Sequence, residues 1–260
     1  MDVKDKIVAV TGAGGGIGRA LAEAFAHAGA RHVVVSDIDE AAAKRVAQKV
    51  GGSSFRADVS KEDDIRNIVM DTEKNVGPID LFCSNAGILP VDPDQENAAS
   101  LPNSEWERAW AVNVMAHVYA ARALLPAMIA RKSGYFLNTV SAAGVLSQIG
   151  CAAYATTKHA AIGYAESLAI THKDHGIKVS VLCPQAVGTA MTEGKSLNGA
   201  DVDGVITAEA VAQSALAGIA RETFLILPHP NVEKYAAGKT QNYDRWIGGM
   251  AKLRRSLKTA

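Results

Sequence analysis

An alternation along the chain constrains its fold more than any other feature. Short runs rich in β-branched residues recur, and longer alanine-rich stretches separate them. The runs at 6–10, 31–37, 53–59, 78–87, 134–141, 177–184 and 223–229 read as strands. The segments at 17–30, 39–50, 61–75, 103–131 and 207–221, with the stretch around residue 155, read as helices. Strand and helix taking turns in this way predicts a parallel sheet covered by helices on both faces. The expected architecture is therefore α/β: a single-domain, doubly wound parallel sheet of about seven strands. No linker, repeat or low-complexity tract divides the 260 residues, of which 48% are hydrophobic, so one domain over 1–260 is predicted. Two segments stand apart. One is a Gly-, Asn- and Asp-rich loop within about 190–206, placed by order after the sixth strand. The other is a tail, about 230–260, that mixes Tyr235, Tyr243 and Trp246 with a basic end. That tail packs either on its own domain or a neighbouring subunit, or over a substrate as a lid.

Charge narrows the partners. Lys+Arg and Asp+Glu both number 27, and a net charge of zero argues against nucleic acid or an anionic membrane surface as the main partner. The opening MDVKDKIVAV lacks the basic and long apolar regions of a signal peptide, and no apolar stretch reads as long enough to cross a bilayer. Cys83, Cys151 and Cys183 form no C-x-x-C or Cys/His cluster, so neither a disulfide framework nor a metal site is indicated. A cytoplasmic setting is expected.

The segment VTGAGGGIGRA (10–20) joins the first strand to the first helix, with Gly12, Gly16 and Gly18 spaced G-x-x-x-G-x-G. Glycines in that place allow a tight turn and let backbone N–H groups approach a pyrophosphate, which then faces a helix N-terminus. Such a loop means little alone; between strand and helix it points to a Rossmann-type dinucleotide site. Asp37 ends the second strand, 25 residues after Gly12. A carboxylate there accepts hydrogen bonds from an adenosine ribose and repels a 2′-phosphate. Neither Gly15 nor Ile38 offers a compensating cation, so NAD is favoured over NADP.

Tyr154 and Lys158 stand four apart in SQIGCAAYATTKHA (147–160), on one face of an alanine-rich helix. An ammonium that close is expected to pull the phenol below its ordinary pKa of about 10. By itself the pair is a common accident of helices.

Taken together, these motifs resemble the short-chain dehydrogenase/reductase family over most of the chain, from Lys6 to about Pro228. TGAGGGIG (11–18) is similar to the family's cofactor loop. SNAG (84–87) is similar to its N-N-A-G element, with Ser84 in the first place. Asn113, Ser141, Tyr154 and Lys158 match the active-site set. The resemblance implies Tyr154 as acid or base on the carbinol or carbonyl oxygen, and Lys158 as the group that tunes it and binds the nicotinamide ribose. It further implies Ser141 as a hydrogen-bond donor to the reacting oxygen, and Asn113 as the holder of a relay water. Ile17 would lie at the pyrophosphate loop, Asp58 and Val59 at the adenine, and Asn85, Ala86 and Gly87 along the cofactor. Val187 and Thr189 would meet the carboxamide. The family's Pro-Gly after the sixth strand is Pro184-Gln185 here, so Gln185 either contacts substrate or is a change without consequence. Ala143, Leu146, Gln148, Gln185 and Met191 would form a mainly apolar pocket suited to a hydrophobic cyclic, aromatic or steroid-like secondary alcohol. The implied assembly is a homotetramer, or a homodimer, paired through helices such as 120–130. Alternatives are an NAD-sensing regulator without catalysis and a 3-oxoacyl thioester reductase. An epimerase or dehydratase is disfavoured because such relatives carry a larger C-terminal domain.

Overall fold

In the computed structural model the seven apolar runs become β1 (Ile7–Thr11), β2 (His32–Asp37), β3 (Ser53–Arg56), β4 (Leu81–Ser84), β5 (Gly134–Thr139), β6 (Ile177–Leu182) and β7 (Leu225–Ile226). The structure describes residues 1–194 and 197–257. Positions 195–196 of the expected loop and 258–260 of the expected tail lie outside the described residues. The strands form one sheet in the order β3-β2-β1-β4-β5-β6-β7, every neighbouring pair parallel. Around it lie α1 (Gly16–His27), α2 (Glu40–Val50), α3 (Glu62–Asn75), α4 (Asn103–Trp110), α5 (Ala116–Ala130), α6 (Ala152–His172), α7 (Ala208–Ala220), α8 (Asn231–Gln241) and α9 (Tyr243–Ser256).

The strands lack polar alternation because both faces of the sheet are covered. Val8, Val10, Val33, Val35, Leu81 and Leu137 point to one side and pack on α1, α2 and α7. Ile7, Ala9, Val34, Phe82, Phe136 and Val181 point to the other and pack on α3, α5 and α6. Phe82 and Phe136 are among the largest fully buried side chains, and truncating either to alanine should cost about 3–5 kcal/mol.

Three runs shorten most as strands, each for a local reason. β4 stops at Ser84 because the N–H groups of Asn85 and Ala86 turn to Thr11 Oγ1, at 3.0 and 3.2 Å. β3 and β7 sit at the two sheet edges, where only one neighbour is available to extend them. The expected helix 103–131 is continuous but carries a π turn at Ala111–Met115 centred on Asn113. The segment Asn103–Ala130 is long and apolar enough by length and composition to cross a membrane, with an 18-residue window of mean hydropathy 1.3. This corrects the sequence reading, which found no such stretch. Its apolar character is explained by packing, since Ala116, Ala120, Leu124 and Met128 are buried in the core beneath it.

Connections from β1 run toward β2 and β3, and those from β4 run the other way. The neighbours β1 and β4 therefore flank a switch point, which opens a crevice at their carboxyl ends. The tail crosses back over the far side of that crevice as α8 and α9. Asn242 caps α9 by accepting from Arg245 N–H at 2.9 Å.

Candidate active site

At the carboxyl end of β1 the chain must turn sharply beneath its neighbour. Gly12 takes φ +62°, and a Cβ there would lie 2.7 Å from Ala86 Cα. A Cβ on Gly18 would collide with the Gly12 carbonyl oxygen, so α1 can begin this close to β1 only with glycine in that place. α1 opens at Gly15 with no side-chain cap, which leaves its first N–H groups facing the cleft. Across the opening, Thr189 lies so near that a Cβ on Gly16 would be 3.3 Å from Thr189 Cγ2. Asp37 braces the glycine loop from the end of β2. Its carboxylate accepts from Gly14 N–H at 2.9 Å and Asp39 N–H at 3.0 Å. Ile38 beside it is 61% exposed. The sequence reading did not weigh Arg56, which the β2–β3 register pairs with Asp37 and which is exposed at the same sheet edge.

Gly12, Gly15, Gly16, Gly18, Asp37, Ile38 and Thr189 line one cleft of about 560 Å³. Every residue expected at the cofactor lies on it: Gly12, Gly16, Ile17, Gly18, Asp37, Asp58, Val59, Asn85, Ala86, Gly87, Val187 and Thr189. So do Ser141, Gln148, Tyr154, Lys158 and Gln185, while Asn113 is fully buried behind the wall. Several of them also brace the cleft. Asn85 Nδ2 donates to the carbonyls of Thr11 and Gly12, at 3.0 and 3.3 Å, which ties the end of β4 to the glycine loop. Asp58 accepts from Ser60 Oγ at 2.6 Å, and Val187 bridges to Ile206 to fix the return of the loop after β6.

The catalytic candidates meet where β5 runs out. Ser141 follows β5, with its Oγ accepting from Ala143 N–H at 3.1 Å and lying 3.5 Å from the Pro184 carbonyl after β6. Tyr154 enters from the first turn of α6 and hydrogen-bonds with Ser141. Lys158, one turn on, is buried; its Nζ donates to the Thr139 carbonyl at 3.3 Å and lies 5.6 Å from the Tyr154 ring centroid. The expected lowering of the Tyr154 pKa is not what this arrangement gives. Burial pushes the phenol up to about 12, against the Ser141 hydrogen bond, which pulls it down. Burial likewise brings the Lys158 ammonium down to about 8. Desolvation thus sets the direction for both groups, because Lys158 is buried and Tyr154 is half-buried in the cleft wall rather than on an open helix surface.

Asn113 is fully engaged. Its Oδ1 accepts from Ile88 N–H at 3.0 Å, and its Nδ2 donates to the Ile88 carbonyl at 3.0 Å and Thr157 Oγ1 at 3.1 Å. The Asn113 side chain is thus committed to partners within the protein. One turn on, His117 is buried; burial first, then the Lys158 charge, drives its pKa down to about 3, so it stays neutral.

A second cavity of about 250 Å³ adjoins the catalytic end. It shares Ser141, Gln148, Gln185 and Ala200 with the cleft. Of the expected pocket residues, Ala143, Leu146, Gln148 and Gln185 line this second cavity, and Met191 lines the first. The tail adds Tyr235, Trp246, Met250 and Leu253, and the loop after β6 adds Asn198, Gly199, Ala200 and Val202. The two readings of the tail thus merge, because Tyr235 and Trp246 pack on Leu146 and Val232 of the same domain while facing the cavity. Lys239, which the sequence reading passed over, anchors it. Its buried Nζ donates to the carbonyls of Val145 (3.0 Å) and Leu146 (2.6 Å) and to His159 Nε2 (3.0 Å). A lone lysine in a polar tail gives no sequence signal for this; its acceptors lie more than 79 residues away.

Known proteins share this arrangement. The model of the short chain dehydrogenase family matches residues 6–199. Epidermal retinol dehydrogenase 2 of Mus musculus is 34% identical over 202 residues, 74% of this chain, and the match spans 64% of the mouse protein. 1-Deoxy-11-beta-hydroxypentalenate dehydrogenase of Streptomyces exfoliatus is 34% identical over 219 residues, 82% of this chain and 78% of that one. Among solved structures, a short chain dehydrogenase/reductase from Burkholderia phymatum in complex with NAD superposes with a TM-score of 0.82 at 27% identity, covering 94% of this chain and 96% of its own.

Proposed function

The chain belongs to the short-chain dehydrogenase family, and from that premise we propose that it is an NAD-dependent oxidoreductase acting on a secondary alcohol or its ketone. One observation carries the reading: Ser141, Tyr154 and Lys158 converge at one end of a cleft whose other end is an uncapped helix N-terminus beside Asp37. The residues present fit a dinucleotide. The glycine loop turns too tightly to take a Cβ at Gly12 or Gly18, the first N–H groups of α1 suit a pyrophosphate, and the Asp37 carboxylate suits a ribose 2′-hydroxyl. NAD, when bound, supplies the hydride acceptor or donor at nicotinamide C4.

The chain supplies the rest. Gly12, Gly16, Ile17 and Gly18 cradle the phosphates, Asp58 and Val59 flank the adenine, and Asn85, Ala86, Gly87, Val187 and Thr189 hold the nicotinamide half. Ser141 orients the reacting oxygen. Tyr154, a neutral phenol in the free cleft, donates its proton to a ketone oxygen, or in the reverse direction takes one from the alcohol. Lys158 binds the ribose and passes the proton toward the π turn at Asn113. Gln148 and Gln185 touch the substrate. The names of the mouse and Streptomyces relatives are those of dehydrogenases acting on hydroxyl compounds, which supports an alcohol substrate. The largely apolar second cavity supports a hydrophobic one. Assembly as a homotetramer, or a homodimer, belongs to the same proposal. It is supported by a half-buried apolar row on the long helix, Val112, Met115, Tyr119 and Ala123, at helical spacing. Retention of Ser141, Tyr154 and Lys158 opposes a purely NAD-sensing regulator.

The test is NADH absorbance with a panel of secondary alcohols and ketones, run on wild type and Tyr154→Phe. Turnover in wild type that Tyr154→Phe abolishes supports the proposal; no turnover on any panel member, with NADH binding intact, favours the regulator.

A further inference from the structure

The wall between the two cavities holds a side chain whose amide oxygen is uncommitted. Gln185 lines both cavities. Its backbone is fixed, with its N–H donating to His229 Nδ1 at 3.1 Å and the preceding Pro184 carbonyl accepting from Ala142 N–H at 2.8 Å. Its amide oxygen is buried and meets no hydrogen-bond partner among the described residues. Neighbouring polar groups on the wall are occupied. Gln148 Nε2 donates to the Leu197 carbonyl at 3.1 Å, Asn198 Nδ2 to the Ile149 carbonyl at 3.1 Å, and Tyr235 OH to Asp203 Oδ1 at 3.0 Å. An unpaired buried amide oxygen is a standing cost to the fold, and a bound molecule that lets the amide pair removes it.

Its place defines what that molecule offers. Ser141 Oγ lies 3.5 Å from the Pro184 carbonyl, so the group that holds the reacting oxygen sits one residue from Gln185. An amide rooted there reaches an oxygen beside the reacting one rather than at the far end of a substrate. Because an amide both donates and accepts, it can pair with a hydroxyl or a carbonyl. Beyond it the cavity is closed by Leu146, Trp246, Met250 and Leu253, which suit a hydrocarbon body.

We infer that Gln185 determines specificity by hydrogen-bonding a second substrate oxygen, and that the substrate is an apolar carbocycle with oxygens on neighbouring carbons: a vicinal diol or the matching hydroxyketone. This rests on the dehydrogenase reading above. In the oxidative direction the carbinol C–H bond breaks and its hydride passes with two electrons to NAD. The O–H proton passes to the protein, and the second hydroxyl is unchanged. The balance is diol plus NAD giving hydroxyketone, NADH and a proton.

The test compares 1-indanol with cis-1,2-indanediol as probes, on wild type, Gln185→Leu and Gln185→Gly, the last carrying the residue usual in the family. Wild type should use the diol with a kcat/KM about tenfold or more above the mono-alcohol, and both variants should bring that ratio close to one while still turning over 1-indanol. Equal use of the two compounds by wild type, or a preference that both variants keep, overturns the inference. Calorimetric titration of each compound into protein with NADH separates this from failure of the dehydrogenase reading. Without any turnover, tighter binding of the diol that is lost in Gln185→Gly still supports the role of Gln185, and equal binding overturns it.

Discussion

The two ends of the cleft are built by different means. The cofactor end is mostly backbone: a glycine turn, the first N–H groups of α1, and Asp37 held by two backbone donors. The substrate end is mostly side chain, and part of its wall (Tyr235, Trp246, Met250 and Leu253) arrives from α8 and α9, beyond residue 230. A backbone cradle tolerates few sequences, since a Cβ at Gly12 or Gly18 would strike Ala86 or the Gly12 carbonyl. A side-chain wall tolerates many, provided something holds the tail in place. Here that is Lys239 on the catalytic side, with Arg254 pairing to Glu96 at 2.7 Å and the Gln95 carbonyl at 2.9 Å on the other. Changes at the first end should therefore alter which cofactor is used or whether chemistry happens, and changes at the second only what is bound.

The largest expected effect lies between the two ends. Tyr154→Phe removes the proton donor and leaves every cofactor contact in place, so kcat should fall by about a thousandfold while the Kd for NADH stays within about twofold. Fluorescence titration with NADH beside single-turnover kinetics checks both. A variant that loses NADH binding as well would mean that the phenol belongs to the cofactor end.

Next comes cofactor choice. A 2′-phosphate carries about −1.5 to −2 charge, and at Asp37 it would face a carboxylate. Wild type should thus prefer NAD by roughly a hundredfold in kcat/KM. Asp37→Ser with Ile38→Arg should narrow or invert that ratio with kcat nearly unchanged. Arg56 sharpens the comparison: as the one register neighbour of Asp37 that could meet a phosphate, its removal as Arg56→Ala should widen the preference further. Equal efficiency of the two cofactors in wild type would dismiss Asp37 as the selector.

This asymmetry also explains what the sequence made legible. Gly12, Gly16, Gly18 and Asp37 could be read because their function depends on local spacing around a strand and a helix, and the β-α alternation followed from the two covered sheet faces. Tyr154 and Lys158 were legible as a pair, yet the direction of the tyrosine's pKa was not, since burial is a property of the assembled core rather than of an i,i+4 spacing. The occupied side chains of Asn85 and Asn113 were likewise invisible, because their partners come from other strands and loops. Trp246, Met250 and Lys239 could be placed only by the fold, as nothing in their own segment says which distant surface they cover.

A third, smaller effect tests whether the tail is a cavity wall. Lys239→Met removes an ammonium that bonds two carbonyls next to Leu146 and the ring of His159. The substrate end should loosen while the catalytic groups keep their places, so KM for the alcohol should rise about tenfold with kcat and the Kd for NADH nearly unchanged. A fall in kcat at constant KM would instead assign the tail to the chemistry.

The smallest effect is on pH, and it arises from the same junction. His159 Nδ1 bonds to the Ala155 carbonyl at 2.8 Å, which makes Nδ1 the protonated nitrogen and leaves Nε2 as an acceptor for Lys239. Burial lowers the His159 pKa from 6.5, the Ala155 hydrogen bond opposes that, and the Lys239 charge lowers it further. A histidine whose folded pKa is depressed contributes its full share of stability above the unfolded value, about 6.5, and loses it as pH falls from there through the folded value. Below the folded value an imidazolium would face an ammonium, and the tail would be held by the two carbonyls alone. KM for the alcohol should therefore rise roughly two- to fivefold as the pH falls from 7 through the folded value, the equivalent of one hydrogen bond. His159→Gln keeps an acceptor but cannot titrate, so its KM should stay flat over the same range. A parallel rise in wild type and His159→Gln would place the acid-sensitive group elsewhere, and would leave Lys239 as an anchor that does not respond to pH.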